Sequence, residues 1–195
     1  MCDQVETSSA PTLIKLLVHA KEMGRVSNTG LIARNFLSNI SPVYYGTPYY
    51  KFHPRDVYEE GCENWILYPE ASCTVAEKIE RGADPALVNL IVPDANWTQA
   101  NHMTRKLLRS GSFTTVKLSE PRGGRYWLRL RGNHPVGVCT MEAVASFYDE
   151  CGLPKISEHL RQGLEKFVYR SLKIRGKKEE AYRYLQTSRY TDFEI

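Results

Sequence analysis

Two short apolar runs, each stopping at a proline and giving way to a helical pattern, set the strongest limit on what this chain can fold into. Residues 64–68, NWILY, and 87–92, LVNLIV, are apolar, aromatic or β-branched almost throughout, the composition of strands buried on both faces of a parallel sheet. Pro69 and Pro93 follow them, and because proline has no N–H to give a ladder, each strand is predicted to end there. After the first, 71–79 continues as a helix with Ser72 or Thr74 near its start. After the second, Trp97, Ala100, Met103, Thr104, Leu107 and Leu108 recur at helical spacing, while Asn101, Arg105, Lys106 and Arg109 fall elsewhere on the wheel. A repeated strand, proline and helix predicts parallel βα units with both turns on one edge of a sheet. The expected fold class is therefore α/β, a mostly parallel sheet flanked by helices.

The rest of the chain fits around these units. Residues 12–19, TLIKLLVH, read as the first strand, and Leu31, Ile32, Phe36 and Leu37 mark a helix after the polar loop AKEMGRVSNTG. Ser27, Asn28 and Thr29 are each suitable N-caps of that helix, and the loop can serve function or capping alone. Residues 39–61 carry Pro42, Pro48, Pro54 and four tyrosines at 44, 45, 49 and 50, predicting a short strand and an ordered loop that could act as a lid. Strands are predicted at 113–118 and 125–130, then a loop at 132–137 and a helix opened by Thr140 and Glu142 that ends near 152–154. From 155 onward Ile156, Leu160, Leu164, Phe167, Val168 and Leu172 form a helical stripe. The predicted organisation is a loose tail at 1–11, an α/β domain at 12–152, and a helical extension at 153–195 packed on it.

The junction at residues 92–97 is where chemistry is expected. In open α/β sheets ligands bind at the carboxyl ends of strands, and a carboxylate there can receive a ribose hydroxyl or a proton. Asp94 sits at that point, and capping of the following helix is the competing reading.

Several chemistries are excluded or disfavoured. GxGxxG, GxxxxGK[ST] and GxSxG are all absent. The histidines at 19, 53, 102, 134 and 159 show no metal-ligand spacing, so no metal is expected. Cysteines at 2, 62, 73, 139 and 151 form no CxxC pair and read as reduced thiols. No apolar run approaches the roughly 20 residues that span a bilayer, and 1–11 is polar, so a cytoplasmic protein is expected.

The net charge of +4 is mild, but its distribution is not even. Between 101 and 134 lie Arg105, Lys106, Arg109, Lys117, Arg122, Arg125, Arg129 and Arg131, opposed by Glu120 alone, with Tyr126 and Trp127 interleaved. Such a stripe suits phosphates and unstacked bases; a solvated basic face with Trp127 in the core is the alternative. Together with Arg25 in the first loop, Arg105, Lys106, Arg109, Arg122, Arg125 and Arg129 are the candidate RNA contacts. Arg170, Lys173, Arg175, Lys177 and Lys178 offer a second basic surface, ranked lower because Glu179 and Glu180 follow at once.

The ordered series LLVHAKEMGRVSNTG, WILYPEAS, VPDANWTQANHM, YWLRLRG and VGVCTMEAVA, spread over about residues 13–146, closely resembles the DTW-domain proteins, the tRNA-uridine aminocarboxypropyltransferases. It matches their histidine and acidic residue before an NTG, their LYP turn, their aspartate and tryptophan in a DGTW-like turn, their LR strand and their TxEA helix start. Two departures stand out: Asn96 replaces the family's Thr or Ser, and only Cys2 remains where many members carry a cysteine cluster ahead of the domain.

The resemblance implies a SPOUT-like parallel sheet whose C-terminal part forms a trefoil knot, a feature that generic topology rules argue against. It implies S-adenosylmethionine as cofactor and tRNA as partner, with the 3-amino-3-carboxypropyl group going to N3 of a uridine and methylthioadenosine leaving. Asp94, as base or ribose anchor, and then Glu142 are the candidate catalytic acids. Cofactor contacts are expected from Thr29, Leu67, Tyr68, Pro69, Pro93, Asp94, Trp97, Val138, Cys139 and Thr140, with Trp97 either a pocket wall or core. An RNA methyltransferase of the same fold and a non-catalytic RNA-binding protein are the alternatives, and a monomer is favoured.

Overall fold

The computed structural model describes residues 7–120, 124–128 and 138–190. In chain order these form β1 (Leu13–His19), α1 (Thr29–Ala33), β2 (Ile40–Tyr45), β3 (Glu63–Leu67), α2 (Val75–Glu80), β4 (Val88–Asp94), α3 (Trp97–Leu108), β5 (Thr114–Val116), α4 (Thr140–Glu150), α5 (Pro154–Ile174) and α6 (Lys178–Gln186). The strands make one sheet of order β2-β1-β4-β3-β5, every neighbouring pair parallel. The apolar runs at 12–19, 64–68 and 87–92 become three adjacent strands, as their two-faced burial requires.

Strand order also decides which face each connection takes. The steps β1 to β2 and β3 to β4 run one way across the sheet, whereas β2 to β3 and β4 to β5 run the other. Because crossovers between parallel strands are right-handed, the two sets must cover opposite faces. Leu16, Val18, Leu90 and Val92 accordingly pack with Ala33, Val75 and the inner residues of α4, α5 and α6. Their alternates Leu17, Ile66 and Ile91 pack with Phe52 and Val57 from the 46–62 connection and with Met103 and Leu107 of α3. Between β1 and β4 the outgoing connections leave on opposite faces, the switch point at whose carboxyl edge open α/β sheets place their ligand crevice.

Several expectations need correcting. Pro93 lies inside β4, opposite Leu17, and the strand ends one residue later with Asp94 opposite Val18. Pairing with β3 stops at Ile91, so beyond it β4 has only β1 beside it and can tolerate a missing N–H. The buried face of α3 is Met103, Thr104 and Leu107, while Trp97 and Leu108 are exposed. Trp97 opens the helix past the last paired residue of β4, where no strand lies beneath it. The strand predicted at 125–130 is absent over 125–128. There the Arg125 amide donates to Glu142 Oε1 (2.8 Å) and its carbonyl accepts from the Tyr184 hydroxyl (2.9 Å), so α4 and α6 take the groups a ladder would need.

The tail is held from Thr7 onward: the Ser8 amide donates to Phe36 O (2.9 Å), the Ser38 amide to Ser8 O (3.1 Å), and Ala10 is buried. The long C-terminal helical stretch is split at Gly176, whose φ of 74° suits glycine, and α6 folds back to bury Ala181 and Tyr184. Residues 121–123 and 129–137, part of the C-terminal region to which the knot expectation refers, lie outside the described residues. Among the described residues no helix is long and apolar enough to cross a membrane.

Candidate active site

Asp94 is delivered by β4 to the crevice beside β1 and is only 6% exposed. Its Oδ1 accepts from Thr140 Oγ1 (2.7 Å) and its Oδ2 from Asn28 Nδ2 (2.5 Å). Asn28 is the N-cap of α1, with its Oδ1 accepting from the Leu31 amide (2.9 Å), and Thr140 is the first residue of α4. One carboxylate thus ties the starts of two helices to the end of a central strand. It does not cap α3. That is done by Asn96, whose Oδ1 accepts from the Gln99 amide (3.0 Å) while Gln99 Oε1 accepts from the Asn96 amide (3.2 Å), a full capping box. The asparagine at the family's Thr/Ser position keeps the cap.

The close meeting of α1, β1 and α4 depends on Gly30. A Cβ there would lie 2.9 Å from both δ carbons of Leu16 and 3.1 Å from Thr140 Cγ2. The NTG triplet therefore combines a cap that holds Asp94, a buried threonine and the residue that admits α4.

At the start of α4, Glu142 is buried, with Oε2 accepting from the Cys139 amide (2.7 Å) and Oε1 from the Arg125 amide (2.8 Å). Both oxygens face backbone, so the geometry makes Glu142 the clasp between the turn before α4 and the 124–128 segment. Cys139 is buried against Thr29 and Glu142, and burial pushes its thiol well above the usual range. Thr29 and Cys139 are buried, whereas Thr140 and Val138 are half-buried.

On the other side of β4, Leu67 ends β3 and Tyr68 follows it, both half-buried, and Pro69 is exposed. The Tyr68 hydroxyl lies 3.1 Å from Asn101 Oδ1 and 2.9 Å from Glu70 Oε2, and burial followed by Glu70 raises its pKa. Pro93 is half-buried between the two groups. Trp97, 68% exposed, is free to be a wall and is not core. His19 ends β1, its Nδ1 accepting from the Lys21 amide (3.1 Å) and its ring 6.0 Å from that of Tyr45. Burial, followed by Lys21, lowers its pKa against the opposing pull of Glu22.

Among the described residues the basic stripe does not form one surface. Arg125 is turned inward: Nε donates to Glu165 Oε1 (2.6 Å), Nη1 donates to Thr187 Oγ1 (2.9 Å), and the guanidinium lies over the Tyr184 ring at 4.5 Å. Tyr126 is buried with its hydroxyl donating to Ser27 O (2.6 Å), and Trp127 packs edge-on against Tyr184. Both aromatics belong to the core, Trp127 through its contact with Tyr184 of α6. Arg105 and Arg109 are exposed on α3, and Arg25 is exposed with a partner in Glu22 (3.0 Å). Lys106 donates to Phe52 O (2.9 Å) beneath the rings of Tyr45 and Phe52. Arg122 and Arg129 lie outside the described residues. Among those described, no group of three or more His, Cys, Asp or Glu could hold a metal ion.

With this geometry in place, a comparison against family models matches residues 1–172 to the DTW domain. The chain belongs to the DTW-domain family. No curated protein and no solved structure matches it. Of the two residues at which the 93–97 turn resembles the family's aspartate and tryptophan, Asp94 is buried and Trp97 is exposed. Membership of the DTW family is consistent with a tRNA-modifying role. Sequence reasoning missed the partnership of Asn28 with Asp94, 66 residues apart; the NTG triplet was its only visible signal.

Proposed function

We propose that this DTW-domain protein transfers the 3-amino-3-carboxypropyl group of S-adenosylmethionine to N3 of a uridine in tRNA, with 5′-methylthioadenosine leaving. The observation that carries the reading is the buried Asp94 carboxylate at the point of divergence between β1 and β4, oriented by Asn28 and Thr140. A carboxylate has about four acceptor positions, and these two bonds use two of them. Asp94 therefore still has room to accept a ribose hydroxyl or the uracil imide proton.

The donor set suits the cofactor. Backbone turns at 67–69, 93–97 and 138–140 can give amides and carbonyls to adenine and ribose, and Trp97 and Tyr68 can supply apolar walls. Those residues, with Thr140 and Asp94, would hold it; the buried Thr29 and Cys139 support them. When bound, S-adenosylmethionine supplies a side-chain carbon made electrophilic by the adjacent sulfonium. In the transfer an N3–C bond would form as a C–S bond breaks, and Asp94 would take the N3 proton as general base or, as the alternative role, anchor the ribose. What the protein must do is hold the acceptor nitrogen about 3–3.5 Å from that carbon and shield the methyl group. Glu142 contributes by fixing the turn before α4. A SPOUT-like fold with its C-terminal knot, and a cytoplasmic site of action, go with this reading.

Mass spectrometry of tRNA nucleosides from cells with and without the protein is the test. Loss of an aminocarboxypropyl uridine on deletion is expected. Loss of a methylated nucleoside would instead make the protein a methyltransferase, and an unchanged profile would make it an RNA-binding protein without this activity. Calorimetry is expected to show binding of both S-adenosylmethionine and methylthioadenosine.

A further inference from the structure

The four tyrosines at 44, 45, 49 and 50 have no part in the site around Asp94, yet the fold brings them to its edge. β2 ends at Tyr45, and the loop that follows borders an open, solvent-facing cavity of about 510 Å³ lined by Tyr45, Tyr49, Tyr50, Lys51, Phe52 and Lys106, among others. That volume falls within the range typical of small-ligand sites. The lining carries two ammonium groups and no carboxylate. Tyr49 is 97% exposed and Tyr50 53%, an unusual display of aromatic surface for residues that no core requires.

The cavity's inner wall is held in place. Lys106 fastens the loop to α3 through Phe52 O (2.9 Å), and its ammonium sits 5.2 Å from the Tyr45 ring centroid and 5.1 Å from that of Phe52. Tyr45 and Phe52 lie 5.2 Å apart, centroid to centroid, and the Tyr50 hydroxyl donates to Asp56 Oδ1 (2.7 Å). Lys106 has three N–H donors and this bond uses one.

The cavity's place relative to Asp94 follows from the register. Tyr45 is opposite His19, and Val18 is opposite Asp94, so the two stand two strands and one residue apart. At ~4.8 Å per strand and ~3.3 Å per residue, their Cα atoms are about 10 Å apart. Asp94 turns toward the α1 and α4 face, whereas Tyr45 packs on the α3 face, which also presents Arg105 and Arg109. A single strand laid over the carboxyl edge would meet both.

We propose that this cavity binds an unstacked nucleotide flanking the target uridine, its base on Tyr49 and Tyr45 and its phosphate on Lys51 and Lys106. The inference rests on the tRNA reading above and adds the subsite by which the target strand is held open. Single-stranded RNA is recognised in this way, by bases stacked on aromatic rings beside a cationic groove.

The test is fluorescence anisotropy of the full chain with a labelled unmodified tRNA transcript, a short oligouridylate and a DNA duplex, across a salt series. Tyr49→Ala is expected to weaken both RNA probes about 5- to 150-fold, the range for loss of one stacked base, and Tyr49→Trp to restore wild-type affinity. Lys51→Glu is expected to flatten the salt slope by about one, with S-adenosylmethionine affinity by calorimetry unchanged. Tyr49 makes no core contact, so unchanged thermal unfolding is expected to accompany these losses. If Tyr49→Ala and Lys51→Glu leave RNA affinity and slope unchanged while reversals at Arg105 and Arg109 abolish binding, the cavity proposal is overturned and the proposed function stands. Equal weakening toward the duplex, which offers no unstacked base, also overturns it. A wild-type chain that binds neither RNA would remove the tRNA reading itself.

Discussion

Replacing Asp94 by asparagine separates the chemistry of this carboxylate from its structural tie. In the wild-type protein both oxygens accept, one from Asn28 Nδ2 and one from Thr140 Oγ1. An asparagine can keep both contacts: its oxygen faces Asn28, and its NH₂ faces Thr140, whose hydroxyl rotates to accept. What is lost is charge assistance, about 1 kcal/mol for each bond, or roughly 2 kcal/mol in total. Relief from burying an unprotonated carboxylate offsets part of that. Asp94→Asn is therefore expected to fold at 25 °C with stability within about 2 kcal/mol of wild type. It also lacks a group able to take a proton, so turnover is expected to fall ~10²- to 10⁴-fold. Asn28→Ala removes one orienting bond but leaves the carboxylate, and a much smaller fall is expected. The assay is single-turnover modification of an unmodified tRNA transcript, read by nucleoside mass spectrometry, with urea unfolding in parallel. A folded Asp94→Asn protein with turnover within about tenfold of wild type, below the range for loss of a general base, would reduce Asp94 to a tie between helices.

Three further outcomes are expected. Arg125→Met strands the buried Glu165, which also accepts from Ser188, and should cost about 3 kcal/mol in urea unfolding; it should leave the salt slope of tRNA binding unchanged, since Arg125 faces inward, and a lowered slope would contradict that placement. Asn89→Ala removes a fully buried amide that donates to Val57 O and Asn64 Oδ1, both at 2.7 Å. A loss of about 1–3 kcal/mol is expected, with faster amide exchange around residues 57–62, and wild-type stability would show that this amide does not hold that loop. His19 should titrate below its ordinary value near 6.5 in an NMR series, because burial and Lys21 disfavour its charge. As pH falls through that value the unfolded chain protonates first, so the residue's contribution to stability is present above it and declines below. A midpoint above 6.5 would put a carboxylate closer to the ring than the structure does.

The sheet was legible because it rests on local chemistry. Apolar runs of strand length suit strands buried on both faces of a parallel sheet, so LLV, NWIL and LVNLIV predicted three parallel strands, and the structure makes them neighbours. Asn28 and Thr140 advertised helix starts by residue type, and Asp94 marked a strand's end by its place after LIVP, although the cap of the next helix proved to be Asn96. Pro93 misled because the rule against proline in strands assumes two neighbours, and the sequence does not say that pairing with β3 stops two residues earlier, at Ile91. The basic stripe misled for a similar reason. Positive charges close in sequence share a surface only if nothing covers them, and it is α6, some 60 residues later, that brings Tyr184 and Thr187 onto Arg125 while buried Glu165 of α5 pairs with it. Strand order, the faces assigned to α1 and α3, and the joining of Asn28, Asp94 and Thr140 all depend on long-range pairing, which no window of sequence contains. By itself the sequence determined the three central strands, their parallel sense and the acidic residue at the turn; tertiary structure alone decided which charges stay exposed and what holds that acid, because both depend on residues far apart in sequence that meet only in the folded chain.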